Sequence, residues 1–242
     1  MPKLAFDVTS LTRFYPALGV GEPSLSELLE TAKKDGVQAL VSNFARADNV
    51  LVASLRKSTK LPLFVESEPE HLTDKALLKL SPKLVCVVAS KASATANGGL
   101  DLKKSSKSLA SGISHLKKSG IKVALSLDPD AATLRLARGL GVGVVQLCAS
   151  GYSRAASGKK QEALLEDLCV AGLLVRELGM GLHVSGALDY SNAEAIAQMP
   201  ELEFVSVGDA IVGKTMEVGF SAACAQMVEL LGAQEDFVSA PF

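Results

Sequence analysis

Short apolar runs recur along the chain, each bounded by glycine, proline or polar residues. Between most of them lies a longer stretch whose apolar residues return every three or four positions. Eight runs, residues 3–8, 37–42, 61–66, 83–89, 121–127, 142–148, 181–185 and 203–207, are rich in Val, Leu, Ile and Phe and too short for helices. They are predicted as strands. Helices are predicted over residues 24–34, 73–80, 102–118, 130–140, 160–178, 191–199 and 218–231. Ser24 followed three residues later by Glu27 is a capping box. Gly36, Gly120, Gly141 and Gly179 close four of the helical stretches, where glycine supplies a left-handed turn into the next strand.

Eight strand–helix units predict a single α/β domain over residues 1–242, a (β/α)8 or TIM barrel of eight parallel strands. Alternation alone also fits an open, doubly wound sheet. Residues 90–101 (SKASATANGGLD) and 151–160 are long polar stretches after strands four and six, and read as functional loops. The terminal EDFVSAPF reads as a frayed end.

Composition narrows this picture. Aromatic residues make up only 5% of the chain and Trp is absent, so the core is aliphatic, as in strands covered on both faces. With 25 basic and 26 acidic residues the net charge is −1, which gives no footprint for nucleic acid or an anionic membrane. No apolar stretch approaches a membrane span, and the N-terminus lacks the pattern of a signal peptide. Four scattered cysteines, Cys86, Cys148, Cys169 and Cys224, form no CxxC and read as reduced, buried thiols. A cytoplasmic protein without metal or cofactor is expected.

In such a barrel the chemistry gathers at the C-terminal ends of the strands. That rule selects, among others, Asp7, Ser42, Asn43, Glu66, Asp128, Gln146, Cys148, Gly186, Gly208 and Asp209. Gly208 opens the last helix, and the free N–H groups of a first helical turn suit a phosphate. Asp209 beside it would repel a dianion unless it turns away or caps the helix. The run GDAIVGKT also fits GxxxxGK[ST], but too little chain follows Thr215 for the strand and magnesium-binding Asp of a nucleotide hydrolase. His71, His115 and His183 fall at no strand end, and Asp128-Pro-Asp130 reads as a helix cap.

The chain resembles the pyridoxine 5′-phosphate synthase family. The resemblance is carried by Cys86-Val-Val, Thr95-Ala-Asn-Gly-Gly-Leu-Asp101, Gly120-Ile-Lys-Val-Ala-Leu-Ser-Leu-Asp-Pro-Asp130, Gly151-Tyr152, Leu188-Asp-Tyr190 with Asn192, and Gly208 with Ala210-Ile-Val-Gly-Lys214. It implies a (β/α)8 barrel, a homo-octamer, and a transferase that condenses 1-deoxyxylulose 5-phosphate with 3-amino-2-oxopropyl phosphate. It also implies ligand or phosphate contacts at Gly208, Thr95 and Arg46, to which the strand-end rule adds Gly186, Asp209 and Asp7. The family's acid–base groups are replaced. Ser42 or Asn43 stands for a histidine after strand two, Phe64 for a glutamate in strand three, Gly186 for a histidine after strand seven, Thr9-Ser10 for an Asp-His pair and Asp209 for a histidine. Glu66, two residues beyond Phe64, is the one candidate for a catalytic carboxylate. Each lost acid–base group costs typically about 10²–10⁴-fold. The expectation is a barrel that binds a phosphorylated small molecule, with the condensation weak or lost. The alternative is an active synthase of vitamin B6 biosynthesis with relocated groups.

Overall fold

The computed structural model describes residues 1–17, 19, 23–104 and 106–232. The predicted frayed end lies outside them.

Eight parallel strands close on themselves in sequence order: β1 (Lys3–Asp7), β2 (Ala39–Asn43), β3 (Leu63–Ser67), β4 (Leu84–Val87), β5 (Lys122–Leu127), β6 (Val144–Cys148), β7 (Gly181–Ser185) and β8 (Leu202–Val207). Closure is made by β1 against β8, with Leu4 opposite Val205 and Phe6 opposite Val207. This excludes the open sheet and gives the (β/α)8 barrel.

Side chains alternate across each strand, so each strand carries two apolar surfaces. One row (Leu4, Phe6, Leu63, Val65, Val85, Leu125, Val145, Val184, Val205) packs under the helices. The other (Ala5, Ala39, Val41, Phe64, Leu84, Cys86, Ala124, Val144) fills the barrel interior. The inward row turns polar as it rises to the C-terminal mouth, through Asp7, Asn43, Glu66, Ser126, Gln146 and Ser185. That change places a polar floor above an apolar plug.

The helices are α1 (Thr9–Ala17), α2 (Leu25–Lys34), α3 (Asn49–Ser58), α4 (Lys75–Lys79), α5 (Ser106–Lys118), α6 (Ala131–Gly139), α7 (Ser150–Arg154), α8 (Lys159–Glu177), α9 (Ala193–Ala197), α10 (Asp209–Val218) and α11 (Phe220–Gly232). The capping box at Ser24 forms, with Glu27 reaching back to the Ser24 N–H at 2.7 Å. Asp130 caps α6 by accepting from the Thr133 N–H at 2.8 Å and from the Thr133 hydroxyl. These bonds hold its carboxyl below the usual range.

One expectation needs correction. The stretch 151–160 is no open loop: α7 occupies its start and α8 its end, because Tyr152 is buried and its hydroxyl donates to the Asn192 carbonyl at 3.0 Å. The predicted helix 218–231 is α11, and the helical turn expected after Gly208 is a separate helix, α10, which Gly219 at φ 82° divides from it. Gly213-Lys214-Thr215 is interior to α10, so GDAIVGKT forms no phosphate-cradling loop.

Candidate functional site

The mouth of the barrel holds a cavity of about 370 Å³ whose wall includes Asp7, Arg46, Glu66, Gly186, Gly208 and Asp209. Six of the seven residues singled out from sequence therefore meet in one place. Thr95 does not line the cavity. It sits in the loop after β4, where its N–H donates to the Gly99 carbonyl at 2.9 Å, and its Oγ1 is buried without a partner among the described residues. The loop reaches the cavity through Gly98 instead. A bond from the Gly99 N–H to Asp128 Oδ1 (3.0 Å) and one from the Leu100 N–H to the Ser126 carbonyl (2.8 Å) pin it over β5.

Asp7 ends β1 with its carboxylate turned inward, and its Oδ1 accepts the Thr9 N–H at 2.9 Å. Burial pushes its carboxyl up to about 7; the charges of Glu66 and Asp209 add to the rise, and the bonds from Thr9 oppose it. Glu66 shares its strand face with Phe64 but stands one pleat nearer the mouth, roughly 6–7 Å along the strand. Its two oxygens accept from Gln146 Nε2 at 3.0 Å and Asn43 Nδ2 at 3.5 Å. Phe64 lies below in an aromatic layer, 5.0 Å edge-on to Phe204 and 5.6 Å stacked on His183. A carboxylate at position 64 would face those rings, whereas at 66 it meets amides.

Gly208 is glycine for a reason the sequence did not disclose. A Cβ there would stand 2.7 Å from the Asp7 carbonyl oxygen and 2.8 Å from the Asp7 Cβ, so the end of β8 packs directly on the end of β1. Its bareness lets β8 pack on β1 and positions Asp7. A Cβ at Gly186, whose φ is 121°, would likewise stand 2.7 Å from the Ser150 N and Oγ on α7. Asp209 opens α10, where a negative charge suits the helix dipole, and its Oδ1 accepts from Ser10 Oγ on α1. That contact turns it toward α1.

Sequence reasoning missed Arg154, at the end of α7, and Ser126 and Ser206, which project inward just below the strand ends; all three line the cavity. A second cavity of about 520 Å³ adjoins the first. It adds Thr9, Ser10 and Arg13 and shares Asp7, Asn43, Arg46, Glu66 and Asp209. Arg13, Arg46 and Arg154 engage in no ion pair among the described residues. The mouth is thus rimmed by three uncommitted guanidiniums above a carboxylate floor. None of the three histidines lines either cavity. His183 is buried beneath with Glu203 at 3.8 Å, and His71 pairs with Asp74 at 2.9 Å. Ser42, opposite in parity to Val41 and Asn43, is buried outside the cavity. No group of metal-ligating side chains occurs among the described residues.

Residues 16–233 match the family model described as "Pyridoxal phosphate biosynthesis protein PdxJ". The chain belongs to the PdxJ family. A pyridoxine 5′-phosphate synthase of Elusimicrobium minutum is 36% identical over 154 residues, 63% of this chain and 64% of that protein. Another, from Chlorobium luteolum, is 28% identical over 236 residues, 95% of this chain and all of that one. In fold, this PdxJ-family chain is similar to N-(5′-phosphoribosyl)anthranilate isomerase of Pyrococcus furiosus, at a TM-score of 0.59 and 14% identity, covering 96% and 99% of the two chains. At that identity the likeness concerns the barrel alone.

Proposed function

We propose that this PdxJ-family barrel binds a phosphorylated small molecule in the mouth cavity and that the condensation its relatives are named for is weak or lost in it. The observation that carries the reading is the composition of the cavity wall. Arg46, Arg154, the first turn of α10 and the hydroxyls of Ser150, Ser185 and Ser206 offer donors to an anion, while no imidazole stands where the family's proton transfers would need one. Asn43, Phe64 and Gly186 accept or donate no proton near neutral pH.

Binding would place the phosphate toward α10, Gly186 and Arg154, with Arg46 over the rest of the molecule. Asp209 does not oppose this, because its carboxylate is engaged by Ser10 on the far side. Gly208 and Asp7 would set the depth of the pocket. Thr95 would contribute through the placement of its loop. An assembly of several copies, the octamer of the resemblance, belongs to the same reading. Exposed Val170 and Leu173 on α8 and Leu136 on α6 offer apolar surface for it. The compartment on this reading is the cytoplasm, which the unpaired cysteines fit.

A second reading is an active synthase with relocated groups. It is favoured by one observation: Glu66 faces the cavity beside Asp7. The two readings separate in an assay that supplies both family substrates and detects pyridoxine 5′-phosphate. The first expects product at least about 10²-fold below that of an intact relative. Turnover equal to the relative's would establish the second. A thermal-shift series with pyridoxine 5′-phosphate tests the binding shared by both, because a ligand held only by the folded state raises the midpoint.

A further inference from the structure

Two carboxylates at the floor of the cavity have no ion-pair partner among the described residues. Asp7 and Glu66 come from strands separated by β2, and both also border the second cavity. They occupy the seam between the two compartments, within reach of whatever fills either. Their surroundings differ. Glu66 accepts amide N–H groups from Gln146 and Asn43, the arrangement of an ionised carboxylate. Asp7 accepts the Thr9 N–H on Oδ1, and its hydrogen bonding comes from Thr9 alone. Its backbone is clamped by Gly208.

We infer that Asp7 and Glu66 form an acid–base pair that moves protons at the carbonyl-bearing end of the bound phosphorylated ligand. This rests on the reading that the cavity takes such a ligand. Two neighbouring carboxyls in unlike surroundings divide the roles of acid and base. Asp7, pushed up to about 7, keeps its proton, while Glu66 lends the negative charge that helps to hold it there. Glu66 takes a proton from the carbon next to the ligand's carbonyl, and the C–H electron pair becomes a C=C bond. The carbonyl oxygen receives the displaced pair and takes the proton of Asp7. An enol results, an enediol where that carbon carries a hydroxyl, with Glu66 protonated and Asp7 ionised, and reversal restores both. No oxidant or reductant enters.

The other charged groups around Asp7 fit. Asp209 on α10 adds to the retention of its proton but is held by Ser10. Arg46 and Arg13 line the shared wall, and neither is among the groups that set the Asp7 proton. Cys86, below on β4, is pushed well up by burial and stays a neutral thiol.

The test has two arms on the whole chain. The first is a carbon NMR titration of ¹³C-carboxyl-labelled Asp, with the Asp7 signal assigned by its loss in Asp7→Asn. An inflection near neutrality in wild type that falls toward the ordinary carboxylate range in Glu66→Gln is expected. A signal ionised throughout, or an inflection that Glu66→Gln leaves in place, overturns the pair. The second arm incubates the protein with dihydroxyacetone phosphate in D₂O and follows loss of the C–H signal. Exchange should fall by about 10²-fold or more in either variant, and exchange that neither variant slows overturns the assignment. Inorganic phosphate binding to wild type is measured alongside. Phosphate bound without exchange refutes the acid–base pair and leaves the binding site standing, while no phosphate binding refutes the site itself.

Discussion

Asp7 is where the energetics of single residues and the chemistry of the site meet. A carboxyl whose folded value is raised binds its proton more tightly in the native chain than in the unfolded one. Its contribution to stability is therefore full below the ordinary carboxylate range and is lost as pH rises from about 4 to about 7. Asp7→Asn mimics the protonated form. The variant should match wild type in denaturant melts at pH 4 and exceed it at pH 8 by about 1–3 kcal/mol, scaled down because the cavity admits water. Equal stability at pH 8 would show that Asp7 is ionised there without cost. Glu66→Gln tests the neighbour. Its amide retains acceptance from only one of Gln146 and Asn43, and the gap between wild type and Asp7→Asn at pH 8 should narrow in its presence. Glu66 was legible in the sequence as a residue at a strand end, but its direction was not. Parity became certain only once Phe64, two residues before it, was seen inside the barrel against Phe204.

Elements were read well where local rules suffice. All eight strands fall within two residues of their expected starts, because each is an aliphatic run closed by glycine or polar residues. The caps at Ser24 and Asp130 were legible for the same reason. Helices α1 and α3 were not. Thr9–Ala17 carries Pro16, two aromatics and three hydroxyl side chains, and tertiary packing of Leu11 and Thr12 overrides that weak propensity. At α10 helix geometry removes Gly213 from any loop, which agrees with the reading against a nucleotide-binding motif there. Two variants measure these local devices. Asp130→Ala should cost about 1 kcal/mol in chemical melts by loss of the cap. Gly208→Ala drives a methyl into the Asp7 backbone and should cost about 1–3 kcal/mol while altering the Asp7 titration. A neutral Gly208→Ala would mean that β8 and β1 are not locked there.

At the scale of the molecule, closure does what no run of sequence announces. Alternation of strands and helices left an open sheet in play, and only the pairing of Lys3–Phe6 with Phe204–Val207 decides against it. Closure also draws Asp7, Glu66, Gly186 and Gly208, scattered over some two hundred positions, into one wall. Arg154 went unnoticed because its place follows from α7, which lay in a stretch read as loop. A closed ring has no edge strand, so the amides of β1 and β8 should exchange as slowly as those of β4 and β5. Fast exchange confined to β1 and β8 would show a ring that opens. The central claim, a barrel mouth built for a phosphorylated molecule, is tested most directly by calorimetric titration of the whole chain with pyridoxine 5′-phosphate at pH 7. Saturable binding that weakens by about tenfold or more in the paired variant Arg46→Ala, Arg154→Ala is predicted. Absence of saturable heat at millimolar ligand, or binding indifferent to both arginines, would contradict it.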